Sequence, residues 1–124
     1  CGQSDLKLRE YENMANLCSV LVEPNSLDNT AMGLELNQYK NTSAAQMQEI
    51  LSLNNPRQSD ILSGIGKLAW LKRDWMNSKK QISDHEDTIG FYQNREYVEI
   101  TAKNYFCSVE QLKLLAKNLA ARLD

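Results

Sequence analysis

The single histidine, His85, has the surroundings that most resemble a catalytic base, because Asp84, Glu86 and Asp87 flank it. Residues adjacent in sequence rarely supply the geometry of a base and its orienting carboxylate, which usually meet from separate segments. The acidic run also lacks the ligand number and the glycine turn of a calcium loop. The chain contains no G-x-S-x-G and no H-E-x-x-H motif. We therefore predict a solvated polar loop here, no catalytic residue and no enzymatic activity.

The three cysteines, Cys1, Cys18 and Cys107, are the other reactive side chains. Structural zinc sites use paired ligands at spacings such as C-x2-C or H-x3-H. Three scattered cysteines and one histidine do not supply such a pair. We therefore predict no metal and no cofactor.

The chain begins Cys1-Gly2-Gln3-Ser4, without an initiator methionine. This start resembles the mature end of a bacterial lipoprotein, in which the first cysteine carries the lipid. The residue after that cysteine influences sorting in this class, and Gly2 fits the outer membrane. The resemblance implies acyl chains such as palmitate on Cys1, a tether at residues 1–3, and a location on the periplasmic face of the outer membrane. Several acyl chains together anchor a protein stably. The alternative is that Cys1 marks the boundary of a fragment.

The same compartment bears on the other two cysteines. If Cys1 is acylated, Cys18 and Cys107 remain as an even pair, and an oxidising periplasm allows them to form a disulfide. The alternative is two separate buried thiols, which pack as small hydrophobic side chains. We predict the Cys18–Cys107 disulfide.

Composition indicates one folded domain. The 124 residues are 42% hydrophobic and 24% charged, which are ordinary values for a globular protein. Fourteen basic and sixteen acidic residues give a net charge of -2 without a long charged block, so nothing suggests a nucleic-acid partner. No apolar run reaches the roughly 18 residues that a membrane-spanning helix needs. We predict a single helical domain at residues 4–124.

Apolar spacing then predicts an all-α fold, a compact bundle of about four to five helices with one short irregular or strand-like segment. A first helix is expected to run from Ser4 or Asp5 to about Val22, because its apolar residues recur every three or four positions. A short helix broken by Gly33 is expected next, and a strand through Leu34 and Leu36 is the alternative.

A second helix is expected after Ser43, which forms a capping box with Gln46. Asn54-Asn55-Pro56 should end it. The central helix is then predicted from Ser59 to Met76, because its apolar residues form one stripe. Gly64 and Gly66 lie inside this pattern, where small residues allow a neighbouring helix to approach closely.

The last third of the chain is expected to contain two more helices. One begins at Ser83 and continues toward Lys103, with a strand at residues 97–101 as the alternative because β-branched and aromatic residues favour one. The final helix is capped by Ser108, with Gln111 at the capping-box position.

We predict that the central helix binds a partner through its surface, because its apolar face is wider than the packing of a small bundle requires. Trp70, Leu71 and Trp75 are predicted to line a hydrophobic groove for an amphipathic helix, with Tyr92 and Tyr97 at its rim. The alternative is that these side chains close the edge of the core.

Together these features resemble the plan of small, helical, disulfide-containing outer-membrane lipoproteins that act as pilotins for secretins. The resemblance implies a non-enzymatic chaperone that binds the C-terminal segment of a secretin. A second possibility is an exclusion or inhibitory lipoprotein that binds an envelope protein through the loop at residues 78–87. A third is a cytosolic helical adaptor in which Cys18 and Cys107 are free thiols.

Overall fold

The computed structural model describes residues 6–14, 17–24, 33–77 and 83–123, and the side chains of residues 33–58, 60–73 and 85–123. Within these ranges the chain forms one antiparallel sheet of seven strands and two α-helices, so the predicted all-α bundle is wrong. The strands are β1 (Leu6–Met14), β2 (Leu17–Pro24), β3 (Gly33–Tyr39), β4 (Ile61–Leu62), β5 (Leu68–Asn77), β6 (Ser83–Gln93) and β7 (Glu96–Lys103). The helices are α1 (Ala44–Asn54) and α2 (Val109–Arg122), and a 3₁₀ turn occupies Gln58–Asp60.

The sheet is built from two meanders that meet in the middle. Its strand order is β1-β2-β3-β7-β6-β5-β4, and every neighbouring pair is antiparallel. The chain leaves the first meander at β3, crosses through α1, starts again at the far edge with β4, and returns to the centre as β7. Among the strands that the structure describes, this path leaves β1 and β4 at the two edges.

The predicted first helix is wrong, because Leu6–Met14 and Leu17–Pro24 form the antiparallel strands β1 and β2. The predicted central helix is also wrong. Gly64 and Gly66 have φ angles of 79° and 57°, which a right-handed helix cannot accommodate. A side chain at residue 66 would also place its Cβ 2.9 Å from the carbonyl oxygen of Tyr92. The two glycines therefore form a turn between β4 and β5.

The short helix predicted before Asn41 is wrong, and its alternative, a strand through Leu34 and Leu36, is correct as β3. The helix predicted from Ser83 is wrong as well, and the alternative strand at residues 97–101 is part of β7. Asn94 and Arg95 connect β6 to β7 with φ angles of 50° and 64°. Two left-handed residues in a two-residue loop form the type of hairpin turn that matches the twist of the strands.

The capping boxes predicted at Ser43 and Ser108 are confirmed, whereas the one predicted at Ser83 with Glu86 is wrong because β6 begins at Ser83. Ser43 accepts a hydrogen bond from the backbone of Gln46 at the start of α1, and Ser108 does the same with Gln111 at the start of α2. Asn55 ends α1 in a left-handed conformation, as the Asn54-Asn55-Pro56 sequence predicted.

The two helices cover opposite faces of the sheet. On the α2 face, the buried side chains Ile89, Phe91, Val98 and Ile100 pack with the buried positions of α2, which are Leu112, Ala116 and Ala120. On the α1 face, Met47 packs with Trp70 and Tyr97. The central strands are thus buried on both sides.

Candidate partner-binding site

Two of the five residues predicted to bind a partner are interior. Trp70 and Tyr97 are each 2% exposed, and their rings stack with centroids 5.7 Å apart. Gly90 provides the space for this stack, since a Cβ at that position would lie 2.7 Å from Trp70 Cζ2. The Tyr97 hydroxyl donates a hydrogen bond to Glu99 at 2.6 Å. Burial and this bond raise the pKa of Tyr97 well above its ordinary value.

Of the other three predicted residues, Tyr92 packs beside this pair and Leu71 lies on the opposite face of the sheet. Tyr92 is half-buried and its hydroxyl donates to the carbonyl oxygen of Thr42 at 2.8 Å. Leu71 is half-buried and packs with the core on the α2 face, whereas Tyr92 packs on the α1 face. The side chain of Trp75 lies outside the described residues. The structure therefore divides these residues between the two faces of the sheet.

Cys107 is completely buried and disulfide-bonded. Cys1 and the side chain of Cys18 lie outside the described residues. The Cys18 backbone pairs with Gln38, which in turn pairs with Val98 near the β6–β7 turn. Cys107 instead follows the opposite end of β7. The described strands therefore do not themselves bring Cys18 and Cys107 to the Cα separation of about 7 Å or less that a disulfide needs.

The Cys18–Cys107 pairing stays a prediction, and Cys1 is the competing partner. Peptide mapping by mass spectrometry, with the protein from its native cells and without reduction, separates the two. An acylated Cys1 together with a linked Cys18–Cys107 peptide pair is the outcome expected for a lipid-anchored protein. A Cys1–Cys107 link would contradict lipidation, because a sulfur in a disulfide cannot also carry a thioether.

The acidic segment around His85 is not the solvated loop that the sequence predicted. His85 and Asp87 point to the α2 face from the interior strand β6 and are 2% and 1% exposed. Asp87 Oδ1 lies 2.7 Å from His85 Nε2 and accepts a hydrogen bond from Arg73 Nε at 2.8 Å. The Tyr105 ring stacks on His85 with centroids 4.5 Å apart.

This ionic cluster stabilises the fold where β5, β6 and the start of α2 meet. His85 and Asn104 exchange two hydrogen bonds, at 2.7 and 3.0 Å, which hold the chain entering α2 against β6. The hydrogen bond and the charge of Asp87 raise the pKa of Arg73, so the guanidinium stays charged. A substrate cannot reach His85 in this conformation because the imidazole is buried beneath Tyr105. The arrangement can hold three elements together, and it offers no exposed base.

The sheet is incomplete at the β4 edge. β4 pairs only with Ala69 and Trp70, whereas β5 continues to Asn77. Among the described residues, no strand pairs with the outer side of β5 from Leu71 to Asn77. An open strand edge presents backbone donors and acceptors that can pair with another chain.

A surface groove lies between α2 and the edge strand β4 with its following turn, and we call it the edge groove. Its volume is about 540 Å³. Ile61 and Leu114 are 38% and 61% exposed, so apolar surface faces solvent on both walls. Its lining comes from β4, the following turn and α2: Ile61, Leu62, Ser63, Ile65, Glu110, Lys113, Leu114 and Lys117.

Sequence reasoning missed this site because it assigned Ile61, Leu62 and Ile65 to the core stripe of a helix. One signal was present. Leu114 lies off the apolar stripe of α2, where a leucine on a solvated face contributes nothing to the core.

No protein-family model matches the chain, and neither the curated proteins nor the solved structures include a significant match to it. Within the described ranges, no group of three or more metal-binding side chains is positioned to hold an ion. The helices described there are too short or too polar to cross a membrane.

Proposed function

We propose that this protein is a non-enzymatic protein of the bacterial envelope that binds a segment of a partner protein in the edge groove. The observation that carries the proposal is that two exposed apolar side chains, Ile61 on the edge strand β4 and Leu114 on α2, line one surface groove. The disulfide at Cys107 supports an oxidising compartment, since such bonds persist outside the cytosol.

The apolar side chains of the groove are better suited to recognition than to folding. More than half of the Leu114 surface is exposed to water, so most of the free energy from burying this side chain is not gained in the isolated chain. Burying a leucine fully stabilises a complex by about 1.5–3 kcal/mol. A partner segment that covers Ile61 and Leu114 would gain this contribution at two neighbouring positions.

The proposal that the partner is a secretin has less support than the sequence suggested. The resemblance to pilotins assumed an all-helical domain, and the structure contains a seven-stranded sheet instead. The C-terminal segment of a secretin stays a candidate partner, to be tested directly. A lipid on Cys1 would bring a bound partner to the membrane. The peptide mapping tests lipidation independently of the groove.

The other two classes fit the structure less well. An exclusion lipoprotein was expected to use a loop at residues 78–87, but residues 83–87 belong to β6 and Asp87 is buried. Residues 78–82 lie outside the described part of the chain. A cytosolic adaptor was expected to have a free thiol at Cys107, which is disulfide-bonded.

Site-specific photo-crosslinking tests the proposal. A photoreactive amino acid in place of Leu114 is expected to crosslink a discrete envelope protein in living cells, because this position lies in the edge groove. The matched control is Leu53, which is 83% exposed on α1 outside the edge groove. Crosslinks of equal yield and pattern from both positions would contradict the proposal. A secretin should be identified in the adduct if the pilotin form is correct.

A further inference from the structure

We propose that a pocket at the turn between β6 and β7 binds a phosphate group, which Lys67 and Arg95 hold together. The pocket has a volume of about 450 Å³, and its lining residues are Lys67, Tyr92, Gln93, Asn94 and Arg95. None of these residues lines the edge groove. The inference therefore does not rest on the proposed function.

Two separate turns position the two cations. Lys67 directly precedes β5, and its backbone nitrogen donates a hydrogen bond to the carbonyl oxygen of Tyr92 at 2.9 Å. Arg95 lies in the loop between β6 and β7, and its carbonyl oxygen accepts a hydrogen bond from the backbone nitrogen of Thr42 at 2.7 Å. Contacts with other segments thus fix both backbones. The fold brings a lysine and an arginine from different turns to one pocket.

The charges of this pocket are not compensated by the part of the chain that the structure describes. Lys67 and Arg95 are both exposed, and neither forms an ion pair with a described residue. Among the described residues, those that line the pocket include no acidic side chain. Glu96 follows Arg95 in the chain, but its carboxylate accepts a hydrogen bond from Gln38 of the neighbouring strand β3 at 2.9 Å. An anion that enters the pocket therefore meets two available cations.

The backbone of Arg95 gives an independent reason to assign a function to this side chain. Arg95 is the second residue of a two-residue hairpin loop and has a φ angle of 64°. Glycine is preferred there, because a Cβ crowds the left-handed backbone. Asn94, the first residue of the loop, belongs to a type that tolerates this conformation better than most. Strained residues of this kind cluster at functional sites. The turn retains a guanidinium at a position where folding alone favours glycine.

A phosphate group matches one guanidinium and one ammonium. The guanidinium donates two parallel hydrogen bonds to phosphate oxygens, and the ammonium adds a compact charge with rotatable donors. A phosphate monoester carries nearly two negative charges at neutral pH, which a lysine and an arginine together compensate. Free phosphate and the headgroup of a phospholipid share this chemistry, and the experiment separates these two sources.

Titration of the full chain with inorganic phosphate at constant ionic strength, followed by NMR of the backbone amides, tests the inference. Phosphate is expected to shift the signals of Lys67, Asn94 and Arg95, whereas chloride should not. Arg95→Gly should weaken phosphate binding about tenfold, because it removes the bidentate donor. The same variant should resist urea at least as well as the wild type, since glycine relieves the strain. Lys67→Gln should also weaken binding, and Lys117→Gln is the control because Lys117 is an exposed lysine outside the pocket.

Vesicles of phosphatidylcholine with and without phosphatidic acid identify the source of the phosphate. Binding that requires phosphatidic acid and is lost in Arg95→Gly would assign the pocket to a lipid headgroup. Binding of inorganic phosphate without binding to these vesicles would assign it to a free ligand. Either result supports the phosphate site.

Three results would overturn the inference. The first is equal signal shifts from phosphate and chloride, and the second is phosphate-induced shifts of similar size near every exposed lysine. The third is unchanged affinity in either Arg95→Gly or Lys67→Gln, because the assignment requires both cations. Crosslinking at Leu114 reports on the edge groove alone, so failure of the phosphate site and failure of the proposed function are distinguishable.

Discussion

Replacing Trp70 with alanine is expected to lower the free energy of unfolding by about 3–5 kcal/mol, the range for a large aromatic side chain removed from a core. Trp70 is 2% exposed and stacks on Tyr97 against the α1 face of the sheet. Urea denaturation measures the change, and Leu53→Ala is the control because Leu53 is 83% exposed. A loss below about 1 kcal/mol for Trp70→Ala would show that this side chain is not part of the core.

Gly90 makes the same packing testable by a double-mutant cycle. Gly90→Ala should cost about 1–3 kcal/mol, because its Cβ would overlap a ring that the core holds in place. In the Trp70→Ala background the same substitution should cost less, since the ring is gone. Equal costs in the two backgrounds would contradict the contact of 2.7 Å between the added Cβ and Trp70.

Asp87→Asn is the second substitution with a large expected effect, a loss of about 2–3 kcal/mol in the free energy of unfolding. The amide keeps the size of the side chain but removes the charge that accepts hydrogen bonds from Arg73 and lies against His85. Asp87 Oδ2 has no hydrogen-bond partner among the described residues, so the charge is compensated through Oδ1 alone. We therefore expect the loss of the charge on Oδ1 to lower the stability of the fold.

Glu110→Gln is the matched control for the charge of Asp87. Glu110 forms a pair with Lys113 at 3.5 Å, and its side chain is 85% exposed. Water screens such a pair, and its removal should change stability by less than about 0.5 kcal/mol. Similar losses for the two variants in urea denaturation would show that the buried cluster contributes no more than a surface pair.

The two α-helices could be predicted from sequence because their ends carry local signals. Ser43 with Gln46 and Ser108 with Gln111 satisfy backbone groups within one turn, so the prediction does not depend on distant contacts. The starts of these two helices match the capping residues, but the same pattern at Ser83 with Glu86 lies at the start of β6, so a capping box predicts a helix only where the following residues favour one.

Strand β5 was missed because the sheet is covered on both faces where its described side chains pack. Leu68, Ala69, Trp70 and Leu71 read as one apolar run, since Trp70 packs on the α1 face while Ala69 and Leu71 pack on the α2 face. A strand buried on both sides loses the alternation that identifies a half-buried strand. The run then resembles a helical stripe, and the two glycines before it were the signal that a turn intervenes.

The burial of His85 and Asp87 on a strand could have been predicted from the spacing of residues along β6. His85, Asp87, Ile89 and Phe91 alternate with mostly more exposed residues at a spacing of two, which is the period of a strand with one buried face. The polar side chains of His85 and Asp87 instead favoured the prediction of a solvated loop. Charged groups are buried only where partners from other segments compensate them. Arg73 comes from β5, and the sequence alone does not reveal that pairing.

The most direct test of the central claim compares the affinity of the crosslinked partner for wild-type protein, Leu114→Lys and Leu53→Lys. Both leucines are exposed, so neither substitution should unfold the chain. We predict that Leu114→Lys raises the Kd at least tenfold while Leu53→Lys leaves it unchanged. Equal affinities for all three proteins would contradict recognition through the edge groove.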